Sequence, residues 1–266
     1  MIKHIKNMDI EQIAESGQCF RMLMTGEGSA KVIAGGRVLE IKALDKGEFD
    51  LDCDEADFND FWENYFDLSA DYSSYINAID KDDEFLIKAA KYGDGIRILN
   101  QEPFETLISF IISQRKNIPA IRSSVEKICR LCGKKINGED YAFPEPEAIA
   151  ALSEKELGNC SLGYRVPYIR ETAEMIARGD VDLMSLHTLD DEGLYDKLLS
   201  FKGVGKKVAN CVMLFAYHRI AAFPVDVWIQ RIADTYYDGR FPEEKYPGFA
   251  GVLQQYMFFY GRTYRE

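Results

Sequence analysis

The sequence of 266 residues lacks any apolar run of membrane-spanning length and any low-complexity segment. Its longest apolar stretches, CVMLFAY and IAAFPV, have the length of core segments, whereas a transmembrane helix needs about 20 apolar residues. The first residues contain no apolar core of signal-peptide length. With 47% hydrophobic and 29% charged residues, the composition is typical of a globular protein. We therefore expect a cytoplasmic globular protein without membrane segments.

Cysteine is too scattered for a metal centre. Of the six cysteines, only Cys129 and Cys132 are closely spaced, and no second pair or histidine cluster accompanies them. A structural zinc or iron–sulfur site needs about four ligands. We therefore interpret this C-x-x-C pair as two small apolar residues on a helix and predict no metal site.

An excess of positive charge is also missing, since the formal net charge is −12. Binding to duplex DNA depends on neutralising phosphates, so this balance by itself disfavours a nucleic-acid partner. The charges are segregated, however: acids cluster at 45–60 and 81–84, and bases are densest at Arg115–Lys116 and between Lys202 and Lys207. A local basic patch is sufficient for binding, so a nucleic-acid partner stays open.

The hydrophobic pattern divides the chain into a β-rich start and a helical remainder. Two β-rich arms flank Gly35-Gly36, which predicts a hairpin. Phe49, Leu51 and Cys53 alternate with acids, which predicts a strand with one buried face. The pattern is helical from about residue 55, and no linker-like stretch separates the two parts. The helix signals are an apolar helix at 103–114, a helix from 118 that ends at Gly133, a capping box at Ser153 and Glu156, and a helix that ends at Gly179.

The segment SFKGVGKKVANC (200–211) places two glycines and two adjacent lysines, Lys206 and Lys207, between apolar runs of helical spacing. Two short helices that meet across Gly203-Val204-Gly205 form a helix–hairpin–helix, in which the valine fills the gap and the glycines let the backbone approach a phosphate. The free N–H groups at the start of the second helix provide an anion site. A tight turn between two core helices also explains the glycines, so both interpretations stay open.

Lys206 and Lys207 fall in the first turn of the second helix. A helix N-terminus disfavours a cation, and so does a neighbouring ammonium group. Both effects favour the neutral amine that Schiff-base chemistry requires. A local conflict of this kind is typical of a functional site and marks a lysine as a candidate nucleophile.

Asp226 lies nineteen residues after Lys207, in the segment FPVDVWIQRI. Pro224 ends the preceding apolar run, and Asp226 stands directly before residues with helical spacing, which is the position of an N-cap. The carboxylate is also able to face the lysine and stabilise a cationic sugar. The structural and the catalytic interpretation are therefore both kept.

These two elements, G-V-G-x-K followed by P-V-D-V, resemble the helix–hairpin–helix superfamily of DNA glycosylases, and the similarity is closest to the 8-oxoguanine DNA glycosylases. The branch of that superfamily with an iron–sulfur cluster carries four cysteines after the catalytic aspartate. No cysteine follows Cys211 here, which excludes that branch. Four further segments resemble the family in the same order: SGQCFR (16–21), GIRILNQEPFETLISFIIS (95–113), LGYR (162–165) and AGVLQQYMFF (250–259).

The resemblance implies an α+β fold, with an N-terminal antiparallel β-sheet domain and flanking helices over residues 1–94, packed on a mainly α-helical helix–hairpin–helix core over 95–266. It implies a bifunctional DNA glycosylase and abasic-site lyase that acts as a monomer on double-stranded DNA containing 8-oxoguanine. Such an enzyme is cytoplasmic, of bacterial type, and nucleoid-associated when it acts on DNA. It needs no cofactor beyond a structural monovalent or divalent cation at the hairpin. A glycosylase for another damaged purine and a non-catalytic DNA-binding protein are the alternatives.

The resemblance assigns the chemistry to one lysine and one aspartate. Lys207 attacks C1′ of the deoxyribose, and Asp226 stabilises the positive charge that develops on the sugar. The hairpin residues Gly203 and Gly205 contact the DNA backbone together with Lys206, so the two neighbouring lysines have different roles.

The resemblance also implies a pocket for the flipped base. A carbonyl at Gly17 accepts the N7 hydrogen of 8-oxoguanine and repels guanine, whose N7 is itself an acceptor. Gln254 reads the Watson–Crick edge, since its amide has a donor and an acceptor. Cys211 and Phe258 sandwich the ring, although both positions also suit an ordinary helical core.

Two short segments are implied to contact the DNA around the lesion. Tyr164 wedges into the duplex, and Arg165 lies near the orphaned base. Arg115 and Lys116 stand where many family members carry asparagines, and Ala120 stands where some carry an arginine. These replacements leave the preference for the base opposite the lesion open.

Overall fold

The computed structural model of the protein describes residues 1–264. The chain begins with five strands and one helix: β1 Ile2–His4, α1 Ile10–Glu15, β2 Met22–Gly26, β3 Ser29–Ala34, β4 Arg37–Ala43 and β5 Glu48–Leu51. The strands form one antiparallel sheet in the order β1-β5-β4-β3-β2. The β-rich start predicted from the sequence is therefore confirmed.

The hairpin predicted at Gly35-Gly36 joins β3 to β4, with Ala34 paired to Arg37. The two glycines have φ values of +54° and +70°, which a two-residue turn that follows the strand twist requires. Gly35 also has no room for a side chain, because a Cβ there would lie 2.5 Å from the Phe61 ring. The turn thus has both a conformational and a packing reason for glycine.

The sheet has a hydrophobic core of its own. Phe49 and Leu51 are buried, as the alternation predicts, whereas Cys53 lies beyond the strand and is half-buried. Trp62 and Phe66 belong to the same buried cluster. The segment that carries these aromatic residues contains α2 Glu55–Asp57, a π-helical turn Phe58–Trp62 and α3 Glu63–Tyr65.

Two helices before residue 94 pack with the helical part of the protein. They are α4 Tyr72–Asn77 and α5 Glu84–Tyr92, and α5 packs against the C-terminal helix Ala250–Thr263. Leu86 of α5 lies in the same buried cluster as the core of that helix. The N-terminal segment therefore contributes to both cores, and a domain division at residue 94 stays a prediction.

Helix α6, whose residues 106–112 are all buried, packs against the helices at 118–132, 166–177 and 206–215. This confirms the apolar helix predicted there. The elements are α6 Pro103–Ser113, α7 Ile118–Cys132, β6 Lys135–Asn137, β7 Asp140–Tyr141, α8 Pro146–Ala150, α9 Glu154–Gly158, α10 Val166–Ala177, α11 Asp191–Leu199, α12 Lys206–Phe215, α13 Val227–Tyr236 and α14 Ala250–Thr263, with 3₁₀ turns at Asp45–Gly47, Gly163–Arg165, Ser185–Thr188 and Glu243–Lys245.

The predicted helix ends are mostly confirmed. The capping box of Ser153 and Glu156 starts α9, and Gly179 follows α10 with φ +76°. Gly133 ends α7 as expected, but in an extended rather than a left-handed conformation. Its reason is close packing, since a Cβ there would collide with the carbonyl oxygen of Ala142.

The joint between the sheet and the helical core is held by buried polar side chains. The Arg97 guanidinium donates to the carbonyl oxygens of Phe66 at 2.9 Å and Lys6 at 3.0 Å. Gln18 accepts from the Leu99 amide at 2.9 Å and donates to the Arg97 carbonyl at 2.9 Å. Buried donors and acceptors are costly when unpaired, so this network holds the loop around Gln18 in one position.

Within the described residues, no helix combines the length and the apolarity that crossing a membrane would require.

Candidate active site

The predicted helix–hairpin–helix is formed by α11 and α12. Gly203 has φ +81°, and a Cβ there would collide with the Tyr168 ring. Val204 is only 7% exposed, as expected of a residue that fills the gap between the helices. A Cβ at Gly205 would meet nothing within 4 Å, so packing gives no reason for that glycine. The hairpin therefore has one glycine required by its fold and one that leaves its outer surface open.

Gly205 is the N-cap residue of α12, and no side chain within the described residues 1–264 caps this helix end. The first backbone bond of the helix runs from the Ala209 amide to the Gly205 carbonyl at 2.9 Å. The amides before Ala209 thus have no acceptor within the helix, which is the arrangement that binds anions at helix N-termini. This geometry supports the phosphate-binding interpretation without excluding a simple turn.

The two neighbouring lysines lie in different surroundings. Lys206 is exposed, and no ion pair or side-chain hydrogen bond involves its ammonium among residues 1–264. Lys207 is half-buried, and its Nζ lies 5.0 Å from the centre of the Phe110 ring. Phe110 in turn stacks on Phe215 at 5.5 Å. Lys207 therefore presents its amine over an aromatic floor, whereas Lys206 faces solvent.

The amine of Lys207 lines a small cavity with a volume of about 50 Å³. Distant parts of the chain meet there, because the loop after α1, the helices α6, α12 and α14, and the start of α13 all contribute. The predicted catalytic and base-pocket residues are all in this lining, which consists of Ser16, Gly17, Phe110, Lys207, Cys211, Phe215, Pro224, Asp226, Gln254, Gln255 and Phe258.

As it stands, the cavity has room for a few water molecules and not for a purine. Phe258 closes it by lying against Gly17, where a Cβ would be 3.1 Å from the phenyl Cε1. Gly17 has φ +77°, a conformation that glycine adopts without strain. Admission of a base between Cys211 and Phe258 therefore requires the Phe258 ring to move.

Asp226 is both an N-cap and a cavity residue. Its Oδ1 accepts from the amides of Trp228 and Ile229, each at 2.9 Å. Within residues 1–264, its second carboxylate oxygen has no hydrogen bond and forms no ion pair within 4 Å. The capping interpretation is confirmed, and it leaves one oxygen for another partner.

Cys211 is a buried, neutral thiol at the cavity wall. Burial raises the pKa of the Cys211 thiol above its ordinary value, against the opposing effect of the nearby Lys207 ammonium. Asp226 raises the pKa further, by repulsion of the thiolate. The thiol therefore stays protonated and offers a polarisable, uncharged surface.

Gln254 is 3% exposed and held at both ends. Its Nε2 donates to the Pro224 carbonyl at 3.1 Å, and its Oε1 accepts from Gln255 at 3.0 Å. Gln255 was missed by the sequence analysis. A signal was present in the sequence, because two successive glutamines stand in the largely apolar segment AGVLQQYMFF.

A groove of about 880 Å³ opens from the cavity between the loop 113–119 and the start of α13. Arg115 lines it in a left-handed conformation with φ +53° and is exposed. Lys116 lies deeper, since its ammonium donates to Ser124 Oγ and to the Ser161 carbonyl, each at 2.6 Å. Burial lowers the pKa of Lys116, and the nearby positive charges act in the same direction. The contacts of both residues with DNA stay predictions.

In the segment LGYR, Tyr164 is exposed on the surface and Arg165 is buried. Tyr164 is 50% exposed at the tip of a 3₁₀ turn. Arg165 is buried, lies 4.3 Å from the Tyr164 ring, and donates to the carbonyls of Leu162 and Gln114. Gln114 also donates to the Gly203 carbonyl at 3.0 Å. Arg165 thus supports the exposed tyrosine and, through Gln114, connects this turn to the hairpin, a link that the sequence did not indicate.

Two protein-family models match the chain. The N-terminal domain of 8-oxoguanine DNA glycosylase matches residues 1–107, and the HhH-GPD superfamily of base excision DNA repair proteins matches residues 108–242. The chain belongs to this superfamily. The first match assigns it to the 8-oxoguanine glycosylase branch, which confirms the identification made from the sequence motifs.

Curated relatives carry the same enzyme class in their names. A probable N-glycosylase/DNA lyase of Methanothermobacter thermautotrophicus is 28% identical over 97% of this chain and 95% of its own length. The N-glycosylase/DNA lyase of Saccharomyces cerevisiae is 37% identical over 54% of this chain and 42% of its own length. The protein is therefore a bifunctional DNA glycosylase/lyase.

Solved structures give the same fold. The structure of MBOgg1 with a low-affinity DNA ligand has a TM-score of 0.93 at 36% identity and covers 98% of this chain and 94% of that one. The Clostridium acetobutylicum 8-oxoguanine glycosylase/lyase, in complex with duplex DNA containing cytosine opposite 8-oxoguanine, has a TM-score of 0.93 at 33% identity with the same coverage. The predicted α+β fold class is confirmed.

Proposed function

We propose that the enzyme excises 8-oxoguanine from duplex DNA by attack of the Lys207 amine on C1′ and then cleaves the abasic strand by β-elimination. The observation that carries the proposal is the cavity shared by Lys207, Asp226 and Gln254, which come from three different helices or their caps. The solved complex of the Clostridium relative with 8-oxoguanine DNA supports this choice of substrate.

The first step replaces the bond to the base with a bond to the enzyme. The lone pair of the Lys207 amine attacks C1′ while the N-glycosidic electrons leave with the base, which takes up a proton. The sugar becomes cationic as that bond breaks. The carboxylate oxygen of Asp226 that caps no amide would stabilise this charge, because Asp226 and Lys207 line the same cavity.

The second step uses the same lysine bond. Opening of the sugar ring converts the C1′–N bond to a protonated Schiff base. This iminium acidifies the C2′ hydrogen, and its removal expels the 3′ phosphate. Hydrolysis of the imine then releases Lys207, so that no external oxidant or reductant is needed.

The base must leave the duplex before it reaches the cavity. The exposed ring of Tyr164 is the wedge that we propose for the vacated position, with Arg165 as its support. The hairpin glycines Gly203 and Gly205 would let the phosphate backbone approach the open amides at the start of α12, and Lys206 would bind it there. Arg115 lies in the groove where the opposite strand would pass.

Recognition of the lesion would combine stacking with two polar contacts. The Gly17 carbonyl accepts the N7 hydrogen that distinguishes 8-oxoguanine from guanine. Cys211 and Phe258 stack on the two faces of the ring, and Gln254 pairs with its Watson–Crick edge. A closed Phe258 at rest implies that base entry includes a ring movement.

The test is borohydride trapping on a duplex with one 8-oxoguanine opposite cytosine. The wild-type protein should form a covalent complex, and Lys207→Gln should abolish it. Lys206→Gln is the matched control, which should still form the complex at saturating DNA. Trapping by the Lys207 variant would contradict the assignment of the nucleophile.

The substrate is tested separately with a panel of lesion duplexes. We expect excision of 8-oxoguanine to exceed excision of methylated purines by at least about tenfold, since a site built for polar groups rejects bases that lack them. Preferred excision of a methylated purine would contradict 8-oxoguanine as the substrate, but it would not contradict the proposed attack by Lys207. The monomeric state, the cytoplasmic location, the lack of a cofactor and the cation at the hairpin stay predictions.

A further inference from the structure

Gln255 is a buried polar side chain whose amide is only half satisfied. The residue is 4% exposed, and its Nε2 donates to Gln254 at 3.0 Å. Its Oε1 has no hydrogen-bond partner among residues 1–264. Several buried polar atoms in that part of the chain lack a partner, but Gln255 Oε1 is the one that belongs to a residue lining the base cavity. An unpaired buried acceptor is costly, so its position at a binding cavity indicates a partner that arrives with the ligand.

The neighbouring amide has a fixed direction. Because Pro224 offers a carbonyl oxygen, the end of Gln254 that lies against it must be the nitrogen. Its oxygen is therefore the end that receives Gln255. Gln254 Oε1 still has a second lone pair, and its Nε2 has a second hydrogen. Among residues 1–264, the two amides therefore leave open one hydrogen on Gln254 Nε2, one lone pair on Gln254 Oε1 and the acceptor Gln255 Oε1, while Gln255 Nε2 donates to Gln254.

The Watson–Crick edge of an 8-oxoguanine presents the complementary set of groups, one acceptor and two donors. It has the O6 acceptor, then the N1 hydrogen, then the 2-amino group. The Gln254 amide matches the first two as a bidentate pair, which leaves the 2-amino group for the next acceptor. We propose that Gln255 is a second base-reading residue, whose Oε1 accepts a hydrogen bond from the 2-amino group of the excised base.

This inference rests on the proposed function and makes it more specific. An adenine-derived lesion would place its N1 acceptor against Gln254 Oε1. A hypoxanthine-derived lesion would keep the N1 hydrogen but leave Gln255 Oε1 unpaired. The pair of glutamines therefore selects for a 2-aminopurine lesion, in addition to the N7 hydrogen at Gly17.

The experiment compares single-turnover excision of 8-oxoguanine and 8-oxoinosine, each opposite cytosine, because these bases differ only in the 2-amino group. The wild-type enzyme should prefer 8-oxoguanine by about tenfold, which corresponds to one lost hydrogen bond at a buried acceptor. In Gln255→Met, which keeps the length of the side chain and removes the acceptor, this preference should fall to within about twofold.

A ratio of rates separates recognition from folding, since partial unfolding lowers both rates alike. Gln255→Glu keeps an acceptor oxygen and should retain a larger preference than Gln255→Met. A Gln255→Met enzyme that keeps the full preference overturns the inference and leaves the proposed function intact. A wild-type enzyme that excises neither base overturns the proposed function and this inference with it.

Discussion

The helices α12 and α13 both begin at the cavity, and their N-termini are built in opposite ways. At α13, the Asp226 carboxylate accepts from two backbone amides at 2.9 Å. At α12, Gly205 stands in the capping position, and no side chain in the described part of the chain accepts from the first amides. One helix end is thus completed by the chain, and the other is available to an external anion.

The same contrast separates the two lysines of α12. Lys206 lies at the open end and is exposed, whereas Lys207 lies one residue further and its Nζ is over the Phe110 ring. Successive residues on a helix point about 100° apart. Lys206 therefore lies on the surface and Lys207 lines the cavity, and the different directions of the two side chains determine what each can contact.

The largest effect is expected when the carboxylate of α13 loses its charge. Asp226→Asn keeps a good N-cap residue but removes the anion that stabilises the sugar cation, so the excision rate should fall about 10²–10³-fold. Single-turnover kinetics with 8-oxoguanine DNA measure this, and thermal unfolding should show little change. A loss of only a few-fold would show that Asp226 is chiefly a cap.

A carboxylate added at the N-terminus of α12 should raise the stability of the protein and weaken its binding to DNA. Gly205→Asp places a cap in open space at an extended backbone position, which should stabilise the protein by a few tenths of a kcal/mol. The added charge repels phosphate, so binding to duplex DNA should weaken about tenfold. Fluorescence anisotropy and denaturant unfolding measure the two effects.

Gly205→Ser is the matched control, because it caps the helix without a charge. It should stabilise the protein as much as Gly205→Asp does and weaken binding far less. Equal binding by both variants would show that no phosphate approaches this helix end.

Replacement of Gly203, which has both a positive φ and a crowded site, should destabilise the protein more than replacement of Gly179, which has only a positive φ. Gly203→Ala brings strain and a collision with Tyr168, and should lower the free energy of unfolding by about 1–3 kcal/mol. Gly179→Ala has a similar φ and no atom within 4 Å of its Cβ, so its cost should be smaller, about 1 kcal/mol. Denaturant unfolding compares them, and equal costs would contradict the role of Tyr168.

The smallest effect is expected at the open lysine. Lys206→Ala should reduce the slope of log affinity against log salt by about 0.9, the value for one phosphate contact, with the excision rate at saturating DNA nearly unchanged. A salt titration of DNA binding measures the slope. If the slope did not change, Lys206 would not contact a DNA phosphate.

Local signals predicted much of the fold. The hairpin at Gly35-Gly36, the capping box at Ser153, the apolar helix at 103–113 and the cap at Asp226 depend on neighbours within a few residues, and the structure confirms them. Gly133 ends α7 as predicted, but its extended conformation and its close contact with the Ala142 carbonyl oxygen depend on a segment outside the helix, which the local signal did not indicate.

For the candidate site, the sequence predicted which residues line the cavity but not the contacts that support them. Motif order indicated the residues of the cavity from Gly17 to Phe258, and the structure brings them together. It did not indicate Phe110 beneath Lys207, since that residue is one of many in a fully apolar helix. It also did not indicate that Lys116 and Arg165 are engaged by backbone carbonyls, because such partners have no side-chain signature.

The sequence by itself determined the elements, the two adjacent lysines, the glycine turn and the family to which they belong, because these depend on spacing along the chain. Only the tertiary structure decided which lysine enters the cavity, which helix end stays open, and that Gln255 has an acceptor without a partner. Those properties depend on what packs from distant segments against each side chain. Burial and hydrogen-bond satisfaction are relations between residues, and a linear pattern does not contain them.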